Sequence, residues 1–275
     1  MRAKENFPGH CGVNRPCDCV LMDMEGTRTA LTVAAHEFQK GVLDNPADYR
    51  DKVLARWQEN VFVLADNSNI FISAQYQDGG ERDPSVRLSL PKLCDVVLYG
   101  RNPRKLFVAG SHSYGSEGEP AWKVRYENEG FMTYVEDRRL PTLKETAVDD
   151  VLHAQAMSVR GVDYGGEKLS QTLVLLTGDG NGNDGRTTFP DIVIDFMKHN
   201  ADREASGRPP LWKVEIVAWR RALSPKMTML QNQYPGYVAV RYLDEYREYA
   251  TYREVGVRSI VPIACAGMCM AICVC

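Results

Sequence analysis

The chain lacks an excess of charge of either sign: 33 Lys and Arg stand against 36 Asp and Glu, a formal net of -3 over 275 residues. That excludes a protein that coats nucleic acid by bulk positive charge, which shows as a strongly basic domain. A local site with its own field is still compatible with the balance. No internal repeat and no low-complexity block is present. With 44% hydrophobic and 25% charged residues the composition is that of a globular chain, so collagen-like, low-complexity and wholly disordered classes are excluded. At about 100–200 residues per domain, one large domain or two small ones fit. The first ten residues lack the apolar core of a signal peptide. The chain is therefore expected to be intracellular, cytoplasmic or nuclear, and without a disulfide framework.

The 8 cysteines are grouped at Cys11, Cys17 and Cys19, at Cys94, and at Cys265, Cys269, Cys273 and Cys275. His10, Cys11, Cys17 and Cys19 offer four zinc ligands, but their spacing matches no common finger. Residues 259–275 carry no charge and fall short of the about 20 apolar residues of a membrane span. The ending Cys273-Val274-Cys275 resembles the Cys-x-Cys end of prenylated small GTPases. A lipid-modified tail is thus an alternative to the preferred reading, an unmodified tail with reduced thiols.

Three stretches emerge along the chain. Residues 1–60 form an N-terminal extension, partly helical, with Ala30, Leu31, Val33, Ala34, Phe38, Val42 and Leu43 at near-helical spacing. Residues 61–253 form the main domain, and 254–275 an apolar, Cys-rich tail. Within the domain, β-rich runs at 61–65, 105–109, 131–135, 172–176, 213–219 and 237–243 alternate with helical patterns near 85–99, 119–128, 144–160, 189–199 and 225–233. Several runs are continuously apolar, as in strands buried on both faces. The pattern predicts an α/β fold with right-handed crossovers and a mostly parallel sheet. Ligands of such sheets bind outside the carboxyl ends of the strands, so residues just after each strand carry the most information.

Two strands end in carboxylates. The first leaves through Asp66-Asn67-Ser68-Asn69, and the fourth through Thr177-Gly178-Asp179 into a Gly-rich loop that contains Asn181 and Asp184. Residues 180–185 fit G-x-G-x-x-G, which makes a dinucleotide-binding enzyme a remote alternative. The motif lies on the wrong strand for that, and Asp179 and Asp184 would repel phosphates. An EF-hand fails, because Asp184 replaces the required Gly and Pro190 the closing Glu. The remaining reading is a divalent cation shared by Asp179, Asp184 and Asp66. Asp149 and Asp150 open the helix after the third strand, at the same rim. Acidic residues there also suit the helix dipole, and Asp66 also suits a simple cap. Carboxylates packed together raise one another's pKa unless a cation neutralises them. Oxygen-only sites suit Mg²⁺ or Mn²⁺.

The segment Val63-Leu64-Ala65-Asp66-Asn67-Ser68-Asn69-Ile70-Phe71, then Glu145 with Val148-Asp149, then Leu176-Thr177-Gly178-Asp179 resembles, in order and spacing, the NYN domain of the PIN-like metal-dependent ribonucleases. Lys213-Val214-Glu215-Ile216 with Trp219 and Leu223-Ser224, and Leu243-Asp244, extend the likeness. The resemblance implies a three-layer α/β fold, PIN-like or Rossmann-like, and an Mg²⁺- or Mn²⁺-dependent endoribonuclease acting on single-stranded or structured RNA. It implies Asp66, Asp149 and Asp179 as acidic ligands and Asn69 as a polar partner in the site. Members often carry a second Asp two residues after Gly-Asp. Here that place is Asn181, with Asp184 as the substitute. Asp150 and His153 are second choices. Phosphate contacts are expected from Arg138, Arg139, Lys144, Arg186, Arg220, Arg221 and Lys226, and base stacking from Trp122, Tyr134 and Trp219. A catalytically weak RNA-binding module on the same fold is the alternative.

Overall fold

Val61, Val63 and Ala65 alternate with Phe62 and Leu64 along the first strand, and both sets are fully or almost fully buried. A strand buried on both faces must be central in a sheet covered by helices on each side. The computed structural model describes residues 60–76, 80–98, 101, 103–112, 118–137, 147–162, 170–180 and 187–254. Their elements run β1 (Asn60–Asp66), α1 (Asn67–Ala74), β2 (Val86–Leu88), α2 (Leu90–Leu98), β3 (Pro103–His112), α3 (Ala121–Asn128), β4 (Met132–Asp137), α4 (Val148–Arg160) and β5 (Gln171–Leu176). There follow α5 (Phe189–Ala205), β6 (Trp212–Ala218), α6 (Pro225–Gln233), β7 (Val238–Tyr242), α7 (Arg247–Ala250) and β8 (Thr251–Arg253).

Six strands form one sheet in the order β4-β3-β1-β5-β6-β7, and every neighbouring pair is parallel. Val61, Val63 and Ala65 face a core shared with α1, α2, α3 and α7, where Ile70, Leu93, Val97 and Tyr126 pack. Phe62 and Leu64 face a second core with α4, α5 and α6, centred on Leu152, Phe196, Trp212 and Met227. The result is the expected three-layer α/β architecture. Buried Asn200 ties α5 to β6: its side-chain nitrogen donates to the Trp212 carbonyl (2.8 Å), and its oxygen accepts from the N–H groups of Leu211 and Trp212 (3.0 and 2.9 Å).

Segment 85–99, expected as one helix, divides into β2 and α2. β2 pairs antiparallel with β8 in a small second sheet, and this pairing made far along the chain overrides the local helical pattern. α1 directly follows β1 because the Asp66 side chain accepts the Asn69 N–H and caps the helix. α5 runs past His199 to Ala205, and its first turn is closed by a reciprocal cap between Thr188 and Asp191. The expected N-terminal helices, the zinc candidates and the Cys-rich tail lie outside the described residues.

Candidate functional site

The chain leaves β1 towards β3 and β4 on one side, then returns to β5 on the other. The strand order reverses there, and the crevice between the carboxyl ends of β1 and β5 is the place where such sheets bind ligands. Ala65 is level with Leu176, so Asp66 and Thr177 leave the sheet side by side. Asp66 is buried, and its Oδ1 accepts the Asn69 N–H at 3.1 Å. The Asn69 side-chain oxygen accepts the Gly178 N–H at 3.0 Å. The Thr177 hydroxyl accepts the Asp179 N–H at 3.2 Å. The Gly178–Asn69 bond joins the turn after β1 to the turn after β5, the other two brace each turn locally, and Asp179 is half-buried at the rim. Asn69, expected as a polar partner of the site, is a tether between its two halves.

Asp149 is half-buried and Asp150 exposed in the first turn of α4. The N-cap residue of that helix, Ala147, makes no side-chain cap. Instead Glu136, at the end of β4, accepts the Ala147 N–H through both carboxylate oxygens (3.2 and 3.1 Å). Glu136 is therefore a further carboxylate of the same rim. The sequence pattern missed it because the apolar run there stops at Val135. The His153 Nδ1 is buried and has no hydrogen-bond partner among the described residues.

The donor chemistry of Asp66, Asp149 and Asp179 suits a hard divalent cation. Among the described residues, however, no three acidic, imidazole or thiol side chains come together as a metal-holding group. Asp66 also spends one oxygen on the α1 cap. The described residues alone do not fit a complete Mg²⁺ or Mn²⁺ cage. Asp184, Glu145 and Asn181 lie outside them. The buried thiol of Cys94 is pushed far up by burial and then by Glu129 and Asp95, so it supplies no nucleophile.

Gly178 and Gly180 have a reason other than a phosphate. A Cβ on Gly178 would collide with the backbone of Ala222 and Leu223, and one on Gly180 with the side chain of Ser224. The Ser224 N–H also donates to the Gly178 carbonyl (2.8 Å). The loop after β6 is thus locked onto the turn after β5. The space a pyrophosphate would need beside Gly180 holds Ser224. At β1, the N-terminus of α1 already carries the Asp66 carboxylate.

That lock brings basic residues to the crevice. Arg220 and Arg221 form a short 3₁₀ turn after β6 and are exposed, as is Lys226 in the first turn of α6. The Arg220 guanidinium lies 3.9 Å from the Tyr242 ring centre, and that of Arg221 3.8 Å from that of Tyr76. Neither tyrosine stood out in the sequence, since each meets its arginine only through the fold. Arg138, Arg139, Lys144 and Arg186 lie outside the described residues. Trp219 is fully buried, and its Nε1 donates to the Ile70 carbonyl (2.9 Å), so it is core and cannot stack on a base. Trp122 is half-buried, edge-on to Tyr126 and close against Gly110, and Tyr134 is half-buried against the α4 side of the sheet.

No protein-family model matches the chain, and no curated protein matches it. Among solved structures it is similar to a protein of unknown function from Vibrio parahaemolyticus, with 13% identity, a TM-score of 0.41, and coverage of 69% of this chain and 96% of that one. No helix among the described residues is long and apolar enough to cross a membrane.

Proposed function

We propose that the protein is an endoribonuclease that hydrolyses RNA phosphodiester bonds at the carboxyl rim of its sheet, with Mg²⁺ or Mn²⁺ as cofactor. The observation that carries this reading is the 3.0 Å bond from Gly178 N–H to Asn69, which holds Asp66 and Asp179 to one crevice. The resemblance of these same segments to the NYN domain supports it. So does the acidic first turn of α4 at the same rim, together with exposed Arg220, Arg221 and Lys226 beside it. In the reaction, water forms the new bond to phosphorus and the bond to the leaving ribose oxygen breaks. It requires no nucleophilic Ser or Cys.

The test is cleavage of labelled RNA by the purified full chain with Mg²⁺, with Mn²⁺ and with chelator. Metal-dependent cutting by wild type is expected, and Asp179→Asn is expected to lose it by at least about a hundredfold while melting at the same temperature. Cutting in chelator, or a fully active mutant, overturns the proposal. The absence of a three-ligand cage among the described residues favours a second reading, an RNA-binding module without catalysis. Binding without cutting under all metal conditions selects it. The dinucleotide reading has less support, because Ser224 fills the space at Gly180 and Asp66 caps α1.

A further inference from the structure

The guanidinium groups of Arg220 and Arg221, from one turn, are each held over a tyrosine of a different part of the fold. Arg220 lies over Tyr242, at the end of β7, while its backbone N–H donates to the Asp244 carboxylate (2.6 Å). Arg221 lies over Tyr76, just beyond α1, and its Nη1 donates to the Gly80 carbonyl (3.2 Å). Asp244 is in turn paired with Arg247 at 3.7 Å, and Arg247 lies 4.3 Å from the Trp219 ring centre. An exposed arginine normally loses side-chain entropy when it binds a ligand. Here each guanidinium is already held over a ring while the residue as a whole is exposed.

We propose that the Arg220–Tyr242 and Arg221–Tyr76 stacks form a track for single-stranded RNA leading into the crevice. Each guanidinium takes a nucleobase on its outer face, giving a tyrosine–arginine–base sandwich, while in-plane N–H groups reach phosphate oxygens. Single-stranded nucleic acid is the partner this geometry fits, because a base within a duplex is already stacked on both faces, and unpaired bases stack on aromatic rings and guanidinium planes. The track connects to the crevice physically. The loop that carries both arginines is the loop locked against Gly178 and Gly180. The inference rests on the ribonuclease reading for its direction but is tested apart from it.

The experiment is fluorescence anisotropy of a labelled oligouridylate with the full chain in chelator, where no metal-dependent cutting interferes. Wild type is compared with Arg221→Lys, which keeps the charge and loses the plane, and with Tyr76→Leu and Tyr242→Leu, which keep the apolar bulk and lose the ring. Each is expected to weaken binding about tenfold, with the dependence on salt nearly unchanged because no charge is lost. A duplex RNA of the same length should show no such loss. Arg221→Lys changes only an exposed side chain, so it remains informative if a tyrosine variant melts early. Unchanged affinity in Arg221→Lys, equal losses on duplex, or no binding of the oligomer by wild type overturns the track. Loss of binding in the variants alongside a wild type that never cuts RNA leaves the track standing and removes the nuclease.

Discussion

Gly178 and Gly180 sit where no side chain fits, and what fills their space decides how the Gly-rich loop is read. In a dinucleotide fold the bare glycine faces a pyrophosphate. Here the bare faces meet Ala222, Leu223 and Ser224. Gly178→Ala should therefore destabilise the protein by about 1–3 kcal/mol, since the atoms it strikes are backbone and cannot rotate away. Chemical denaturation checks this, and Gly180→Ala should also destabilise the protein, because the Ser224 Cβ it meets does not move when that side chain rotates. From the sequence, Asp66 and Asp179 were legible as residues leaving buried strands. The tether through Asn69 was not, because a side chain bonding to a backbone 109 positions away leaves no local pattern. Trp219 shows the same limit: an aromatic residue at a strand end reads alike whether it is core or exposed, and the bond to Ile70 decides.

Two helices begin where the sequence placed them, at Phe189 and Pro225, while the helix expected from 144 begins at Val148 and the one expected from 85 at Leu90. α5 opens on Thr188, whose hydroxyl accepts the Asp191 N–H while the Asp191 carboxylate accepts the Thr188 N–H (2.8 Å). The hydrogen bonds from the Thr188 side chain and backbone hold the Asp191 carboxyl below the usual carboxylate range. Thr188→Ala should lower stability by about 1 kcal/mol and leave the crevice intact, as thermal melting beside an RNA-binding measurement will show. The α4 cap was invisible, because its Glu136 comes from β4 rather than from the helix's own sequence. The short β2 was missed for a related reason: its partner β8 lies far along the chain, and a three-residue strand has no periodicity of its own.

Across the whole molecule, one ion triad joins the α2 side of the fold to the strands beyond the crevice. Glu215 on β6 accepts two bonds from Arg101 (2.7 and 2.8 Å) and one from Arg241 on β7 (2.7 Å). Arg101 also donates to the Leu98 and Val97 carbonyls at the end of α2. Burial alone would raise the Glu215 carboxyl; the two guanidinium groups overcome it and hold the carboxyl at about 2, against 4.5 for the free group. A carboxyl depressed in the folded state stabilises the fold above its unfolded pKa and loses that contribution as pH falls. Stability should therefore decline from about pH 4.5 towards pH 2. Glu215→Gln leaves buried Arg101 and half-buried Arg241 without their anion and should cost about 3–5 kcal/mol at neutral pH, a gap that closes as the wild type is acidified. Urea titrations across that range test it.

What the sequence determined by itself was the layering. Strands apolar on both faces, alternating with amphipathic helices, have one economical arrangement, a parallel sheet covered on each side. Because such a sheet binds at its carboxyl rim, the residues to watch were also legible, Asp66 and Asp179 above all. Tertiary structure alone decided what those residues face. It brought the β6 loop onto two glycines, turned Asn69 into a tether, made Trp219 core, and laid Arg220 and Arg221 on Tyr242 and Tyr76. The reason is physical. Periodicity reports the environment of a residue's own element, whereas a site is made of side chains from elements distant in sequence, and only the register and loop packing of the finished sheet place them together.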